Sequence, residues 1–388
     1  MDPSSRLPLE LLQKIFRHYL SDRKIPVQSF DPSDGVWIIG QVNSTWRCAT
    51  LSDASLWSTI NAAFTYPSDS TINSSHSDLN NIILSNGIIE CLACVLSRSR
   101  DIPLSLSLHF PIRSPENAVP LISRTFFSLL MEASNRFQSL DLVAPTPIWE
   151  DFARIPPDLI CCCPILIDLS IRLDHRTIQT HDDTHVIENS VQMPQLRRLA
   201  VHVPSFLDHM TARNLKSLTV KGKSIMGPLA DFLDRSKCAL TDFDVSWHGT
   251  VDELFIILSS MPTLESLTCR RRDLNMSFYE RMKLPSTILP RLRSFSLRIN
   301  DSSTRLLNLL YMHHRVTVDA VPIIDMVESR LAGGVLENVD ISYMMVNVLS
   351  EDSQRRLSNL NALPHINVEI EPFSVGLLQS RINRRLHS

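Results

Sequence analysis

The chain has 388 residues, 44% hydrophobic and 20% charged, with a formal net charge of −3 and a mean hydropathy of +0.01. This balance fits a soluble protein with a buried core, and it excludes general nucleic-acid or polybasic membrane binders, which need a cationic excess. Glycine is scarce, 9 against 23 prolines, which leaves few sites for Gly-rich phosphate loops.

Residues 1–60 hold Trp37, Trp46 and Trp57, three of the five tryptophans, and read as short helices. A first helix starts at Leu7-Pro8-Leu9-Glu10-Leu11-Leu12, where Pro8 suits a first turn that has no use for its missing N–H. Leu11, Leu12, Ile15, Phe16 and Tyr19 form an apolar band wider than one packing contact needs. Ser21 to Val36 contains Pro26, Pro32 and Asp34-Gly35 and is expected to be a loop. A second apolar segment runs from Ile38 through Val42 and Trp46 to Ala49, then Leu56-Trp57-Ser58-Thr59-Ile60. A module of about 60 residues is near the lower limit for independent folding, so its surplus of large apolar side chains implies burial by another protein.

Residues 61–82 are a polar linker, mostly Ser, Asn, Asp and Thr between Tyr66 and Asn81. From residue 83 to 388 a pattern L-x-x-L-x-L recurs. Copies are Leu166-x-x-Leu169-x-Ile171, Leu196-x-x-Leu199-x-Val201, Leu215-x-x-Leu218-x-Val220 and Leu240-x-x-Phe243-x-Val245. Others are Leu264-x-x-Leu267-x-Cys269, Leu292-x-x-Phe295-x-Leu297, Leu336-x-x-Val339-x-Ile341 and the variant Phe137-x-x-Leu140-x-Leu142, with degenerate copies at Leu106 and Val368. Period-two alternation predicts short strands with one buried face. Amphipathic helices are predicted between them: Ser224 to Arg235, a helix opened by the capping box Thr250-Val251-Asp252-Glu253, Thr304 to His313, and Val321 to Leu331. Strand and helix alternating predicts parallel strands that bury their faces only by stacking on neighbours, an irregular α/β solenoid. An ordinary α/β domain with a parallel sheet is the alternative.

Leu-Pro-x-Glu-Leu-Leu-x-x-Ile-Phe, then Val-x-x-x-Trp-Arg, then Leu-Trp-x-x-Ile resembles an F-box over residues 6–60, and the repeats resemble the looser leucine-rich repeats of F-box proteins, without their Asn ladder. The long Ser21–Val36 segment departs from a minimal F-box. The resemblance implies a short N-terminal helical F-box module followed by an irregular leucine-rich-repeat-like α/β solenoid. It also implies a non-catalytic, substrate-recruiting adaptor that binds the Skp-type subunit of a ubiquitin ligase and, through it, a cullin. By motif match the docking residues are Leu7, Pro8, Leu11, Leu12, Ile15, Phe16, Trp46, Leu56 and Trp57; part of this set serves alternatively as the module's own core.

Three residues after five of the ten central strand positions stand Arg172, His202, Lys221, Arg270 and Arg298, a cationic row able to receive an acidic or phosphorylated protein substrate. Neutralisation of that row by Asp141, Asp242, Asp244 and Asp340 is the alternative. A repeat scaffold outside ubiquitination is the second functional reading. The sequence has no complete P-loop, G-x-G-x-x-G, H-E-x-x-H or G-x-S-x-G. Accordingly no catalytic residue, cofactor, metal, nucleic acid or membrane is expected. Cys91-x-x-Cys94, Cys161-Cys162-Cys163 and the loop cluster His175, His181, Asp182, Asp183 and His185 are assigned to packing or to solvent. The residues after Met1 show no signal-peptide pattern, and the expected location is cytoplasmic, nuclear or both.

Overall fold

The computed structural model describes residues 7–22, 29–64, 86–110, 124–144, 163–173, 191–202, 204–222, 225–247, 249–270, 276–284, 288–298, 321–345 and 349–372. The chain forms two compact units, Met1–Asn214 and Leu215–Ser388. The described residues form an α/β protein with ten α-helices and eleven main strands, all parallel to their described neighbours.

In the first unit α1 (Leu9–Ser21), α2 (Gly35–Ile39) and α3 (Ser44–Ser52) precede a 3-10 turn (Ala54–Trp57) and β1 (Thr59–Ala63). Then come α4 (Asn86–Arg98), β2 (Leu104–His109), α5 (Arg124–Glu132), β3 (Phe137–Ala144), β4 (Asp168–Leu173), β5 (Val191–Gln192), β6 (Arg198–Val201) and β7 (Met210–Thr211). Strands β1-β2-β3-β4-β6 lie side by side, and β5 pairs with β7 separately. In the second unit β8 (Ser217–Lys221), β9 (Asp242–Ser246), β10 (Ser266–Cys269), β11 (Ser294–Arg298), β12 (Asn338–Met345) and β13 (Ile366–Pro372) follow one another across the sheet. Helices α6 (Met226–Ser236), α7 (Val251–Ser259), α8 (Met276–Met282), α9 (Val321–Ala332) and α10 (Glu351–Asn361) fall between them.

The repeat register is the one the sequence predicts, with one addition and one shift. Ile60, Leu106, Leu140, Leu169 and Leu199 are register partners in the first unit; Leu218, Phe243, Leu267, Phe295 and Val339 are in the second, and all are buried. The addition is β1, whose Ile60 opposes Leu106, so a module boundary at residue 60 falls inside a strand. The shift is in β13, where Ile366 rather than Val368 opposes Val339. Two residues are one full side-chain period, so the buried face is unchanged and the error leaves no trace in the pattern.

The predicted capping box is present, with Glu253 N–H donating to Thr250 Oγ1 (3.2 Å) and Thr250 N–H to Glu253 Oε2 (2.7 Å). Leu254, Ile257, Leu258 and Met261 are buried on one side as expected, and the helices predicted near 224–235 and 321–331 are α6 and α9. The helix predicted at 304–313 lies outside the described residues. Helix α8 joins the core by seating Phe278 5.5 Å from Phe255 and 6.3 Å from Phe295, ring centre to ring centre.

A local signal explains how strands start. In Cys163-Pro164-Ile165-Leu166, Met193-Pro194-Gln195-Leu196, Met261-Pro262-Thr263-Leu264 and Leu289-Pro290-Arg291-Leu292, the leucine N–H donates to the carbonyl three residues back (3.1–3.3 Å). Proline at the second place presets φ for such a turn, and each leucine is buried. After Leu196, Leu264 and Leu292 the next two N–H groups share the carbonyl just before the preceding strand: Arg197 and Arg198 on Ile167, Glu265 and Ser266 on Thr241, Arg293 and Ser294 on Glu265.

In the second unit α9 carries a fully buried cation. Arg330 donates from Nε to Met282 O (2.6 Å), from Nη1 to Leu289 O (3.1 Å) and from Nη2 to Ile288 O (3.2 Å), and burial lowers its pKa from the usual arginine value. Here the guanidinium fork satisfies the carbonyl of Met282, the last residue of α8, and those of Ile288 and Leu289 on the approach to β11. Arg330→Met keeps the stem and orphans those oxygens. We expect it to lower the unfolding free energy by about 2–4 kcal/mol, seen as a lower urea midpoint at unchanged slope; an unmoved midpoint contradicts this role.

Candidate partner-docking face

Helix α1 has two differently employed sides. Its N-terminus is set by Pro8, whose carbonyl accepts from Leu11 N–H (3.0 Å) and Leu12 N–H (3.2 Å), while Glu10 sits in the first turn near the positive end of the helix dipole. The inner side buries Leu12 and Phe16, and Phe16 packs on Trp46 with ring centres 4.9 Å apart. Between them, Gln13 Nε2 donates to Ser52 Oγ (3.0 Å) on α3, and Arg17 Nε lies 3.0 Å from Asp53 Oδ2. These contacts fix which side of α1 faces α3.

The outer side is apolar as well. Leu7, Leu11, Ile15 and Tyr19 are 39%, 43%, 46% and 51% exposed. Steps of four residues advance only about 40° around a helix, so Leu11, Ile15 and Tyr19 make one slowly winding stripe on α1, and Leu7 lies two residues before the helix starts. Ile38 and Val42, at and just beyond the end of α2, are also exposed. Fully burying such a side chain contributes about 1.5–3 kcal/mol, and a half-exposed one retains roughly half of that for a partner.

The structure thus divides the nine predicted docking residues. Leu7, Pro8, Leu11 and Ile15 face solvent, Trp46 is half-buried, and Leu12, Phe16, Leu56 and Trp57 belong to the module's own core. Trp57 is the clearest correction. It is 2% exposed, its Nε1 donates to Thr50 O (2.8 Å), and Arg98 of α4 lies over its ring at 4.4 Å. Its neighbours β1 and α4 continue past residue 60, where the N-terminal module was expected to end. Tyr19 and Ile38 were read as apolar but not named as docking residues; the i, i+4 spacing from Leu11 and Ile15 is the signal that places Tyr19 on the stripe.

Arg172 and Arg270 of the cationic row are paired with aspartates of the chain. Arg172 Nη2 donates to Asp141 Oδ2 (2.5 Å), and Arg270 donates from Nε and Nη2 to the two Asp244 oxygens (3.0 and 2.7 Å). Both are diagonal rungs: Asp141 opposes Ser170, two residues before Arg172, and Asp244 opposes Thr268, two before Arg270. Asp168 and Arg198, directly opposed, form a further two-point pair. Asp242 accepts from Thr241 Oγ1 (2.7 Å) and Asp340 from Asn367 Nδ2 (3.2 Å). His202 and Lys221 are half-buried, and Arg298 ends β11. The expected repulsion along the row is therefore relieved at Arg172 and Arg270 by aspartates rather than by a bound anion.

Ser107, His109 and Asp141 lie together on the same sheet face but are not a nucleophile relay. Ser107 Oγ (3.2 Å) and Asp141 Oδ2 (3.3 Å) both meet His109 Nε2, whereas a relay needs acid and nucleophile on opposite ring nitrogens. Three thiols are held toward their neutral form. Burial raises Cys238 to about 11 and pushes Cys269 and Cys91 above the usual thiol value, Cys91 with help from Cys94 and Glu90. Among the described residues no group of three or more His, Cys, Asp or Glu is placed to hold a metal, and no helix is long and apolar enough to cross a membrane. Cys161, Cys162 and the His175–His185 cluster lie outside the described residues.

Compared with known protein families and with curated proteins, the chain matches none.

Burial alone would raise the Asp141 carboxyl; hydrogen bonds from Ser170, Arg172 and His109 outweigh it and hold the pKa below the usual carboxylate range. A carboxyl depressed on folding stabilises the protein fully above its unfolded pKa of about 3.9, and that stability is lost as pH falls through the folded value. Asp141→Asn should flatten the acid limb of urea midpoints measured from about pH 5 downward; an acid limb as steep as wild type contradicts the assignment.

Proposed function

We propose that the chain is a non-catalytic adaptor that docks through the outer side of α1 onto an apolar groove of a Skp-type subunit, and so delivers a protein substrate to a cullin-based ubiquitin ligase. The observation that carries this is the Leu7, Leu11, Ile15 and Tyr19 stripe, left in water by a module whose interior is already filled by Leu12, Phe16 and Trp57. An amphipathic helix offering i, i+4 anchors is the form that helix-in-groove recognition takes. The F-box resemblance at Leu7-Pro8-x-Glu10-Leu11-Leu12 supplies the class of partner. On this proposal the repeats are leucine-rich-repeat-like and choose the substrate.

The internal Asp–Arg rungs shape the proposal for the substrate. With Arg172 and Arg270 engaged by Asp141 and Asp244, their charge is offset within the chain, and a substrate would meet a mixed-charge sheet face. An acidic or phosphorylated segment would have to displace those aspartates, which weakens that part of the sequence reading.

The test is binding of the full chain to purified Skp-type subunit. Leu11→Asp with Ile15→Asp should weaken binding by 100-fold or more, since buried interface anchors each contribute about 2 kcal/mol or more. Ile256→Asp, at the exposed apolar residue of α7, should leave binding unchanged. Equal affinity of the stripe variant and wild type would leave the repeat-scaffold reading in its place.

A further inference from the structure

The long Ser21–Val36 segment departs from a minimal F-box, and its described part has a definite place in the first unit. Strand β1 ends the strand order, with β2 on one side. On its other side Ser29 N–H donates to Asn61 O (2.8 Å), and Asn61 N–H donates to Ser29 Oγ (2.9 Å). The Ser29 hydroxyl also reaches Thr59 O (3.3 Å). One buried serine therefore supplies backbone partners at Asn61 and Thr59 on an edge that a further strand would otherwise have to cover.

The same segment is fastened at both ends. Phe30 enters a ring cluster with Phe64, 6.3 Å away, and Phe126 of α5, 6.1 Å away. Trp37 of α2 donates from Nε1 to Ser29 O (2.9 Å) and packs edge-on against Trp57 at 5.0 Å. Arg98, from the C-terminal end of α4, lies 5.0 Å from the Trp37 ring centre and 4.4 Å from that of Trp57. A cation over two aromatic rings joins α2, the 3-10 turn and α4 at one point.

We propose that Ser29–Trp37 is a clasp that makes α1–α3 and the first sheet strands one cooperative unit, so that the exposed α1 stripe is carried as a rigid arm rather than on a hinge. This does not depend on the identity of any partner. It predicts that loosening the clasp releases helices and strand together.

The experiment is native-state amide hydrogen exchange on the full chain, comparing wild type with Ser29→Ala and Trp37→Phe. Ser29→Ala removes the hydroxyl that accepts from Asn61; Trp37→Phe keeps an aromatic ring and removes the donor to Ser29 O. Each should speed exchange about fivefold to tenfold at Asn61 and by the same factor in α1–α3, with β8–β13 unchanged. Faster exchange at Asn61 with α1–α3 still fully protected would overturn the proposal, as would no change at Asn61 in both variants. If Ser29→Ala unfolds the first unit outright, the milder Trp37→Phe decides between these outcomes.

Discussion

One constraint organises the chain: a short strand with a single apolar face has nothing of its own to bury that face against. In each unit the answer is the same, a file of central side chains set in register and covered by amphipathic helices. Once the file is fixed, the polar residues on either side of each central position must emerge on the opposite face. That is why Asp141 and Arg172, or Asp244 and Arg270, meet across neighbouring strands without any loop to bring them there. The Asp–Arg rungs follow from the apolar register.

The N-terminal helices obey the same rule with a different remainder. Their inner residues are satisfied by the chain itself, partly by β1, which straddles the module boundary at residue 60, and by α4 beyond it. What is left is the outer side of α1, where Leu11, Ile15 and Tyr19 stay about half exposed. Polar substitution there would cost less folding stability than in the core, and the proposed docking gives the exposed half of the stripe a use.

Much of this was legible in the sequence because strand and helix periods differ. The L-x-x-L-x-L copies located ten strands and nearly all their register partners, and Thr250-x-x-Glu253 announced its helix start. What the pattern missed has physical causes. A two-residue slip at Val368 conserves the face, so alternation cannot detect it. β1 is only five residues long and reads as the tail of a helical module. Trp57 was placed at an interface because its cover comes from residues about 40 positions later, and no local rule anticipates Arg98. The exposed stripe was half legible: the band was visible as wide, but which edge of it turned outward depended on Gln13 and Arg17 engaging α3 and Asp53.

The most direct measurement is carbene footprinting of the intact chain alone and with Skp-type subunit. The account predicts labelling of Leu7, Leu11, Ile15 and Tyr19 in the free chain, loss of that labelling in the complex, and little labelling of Leu12, Phe16 and Trp57 in either. A stripe labelled equally in both samples, or already shielded in the free chain, would contradict it.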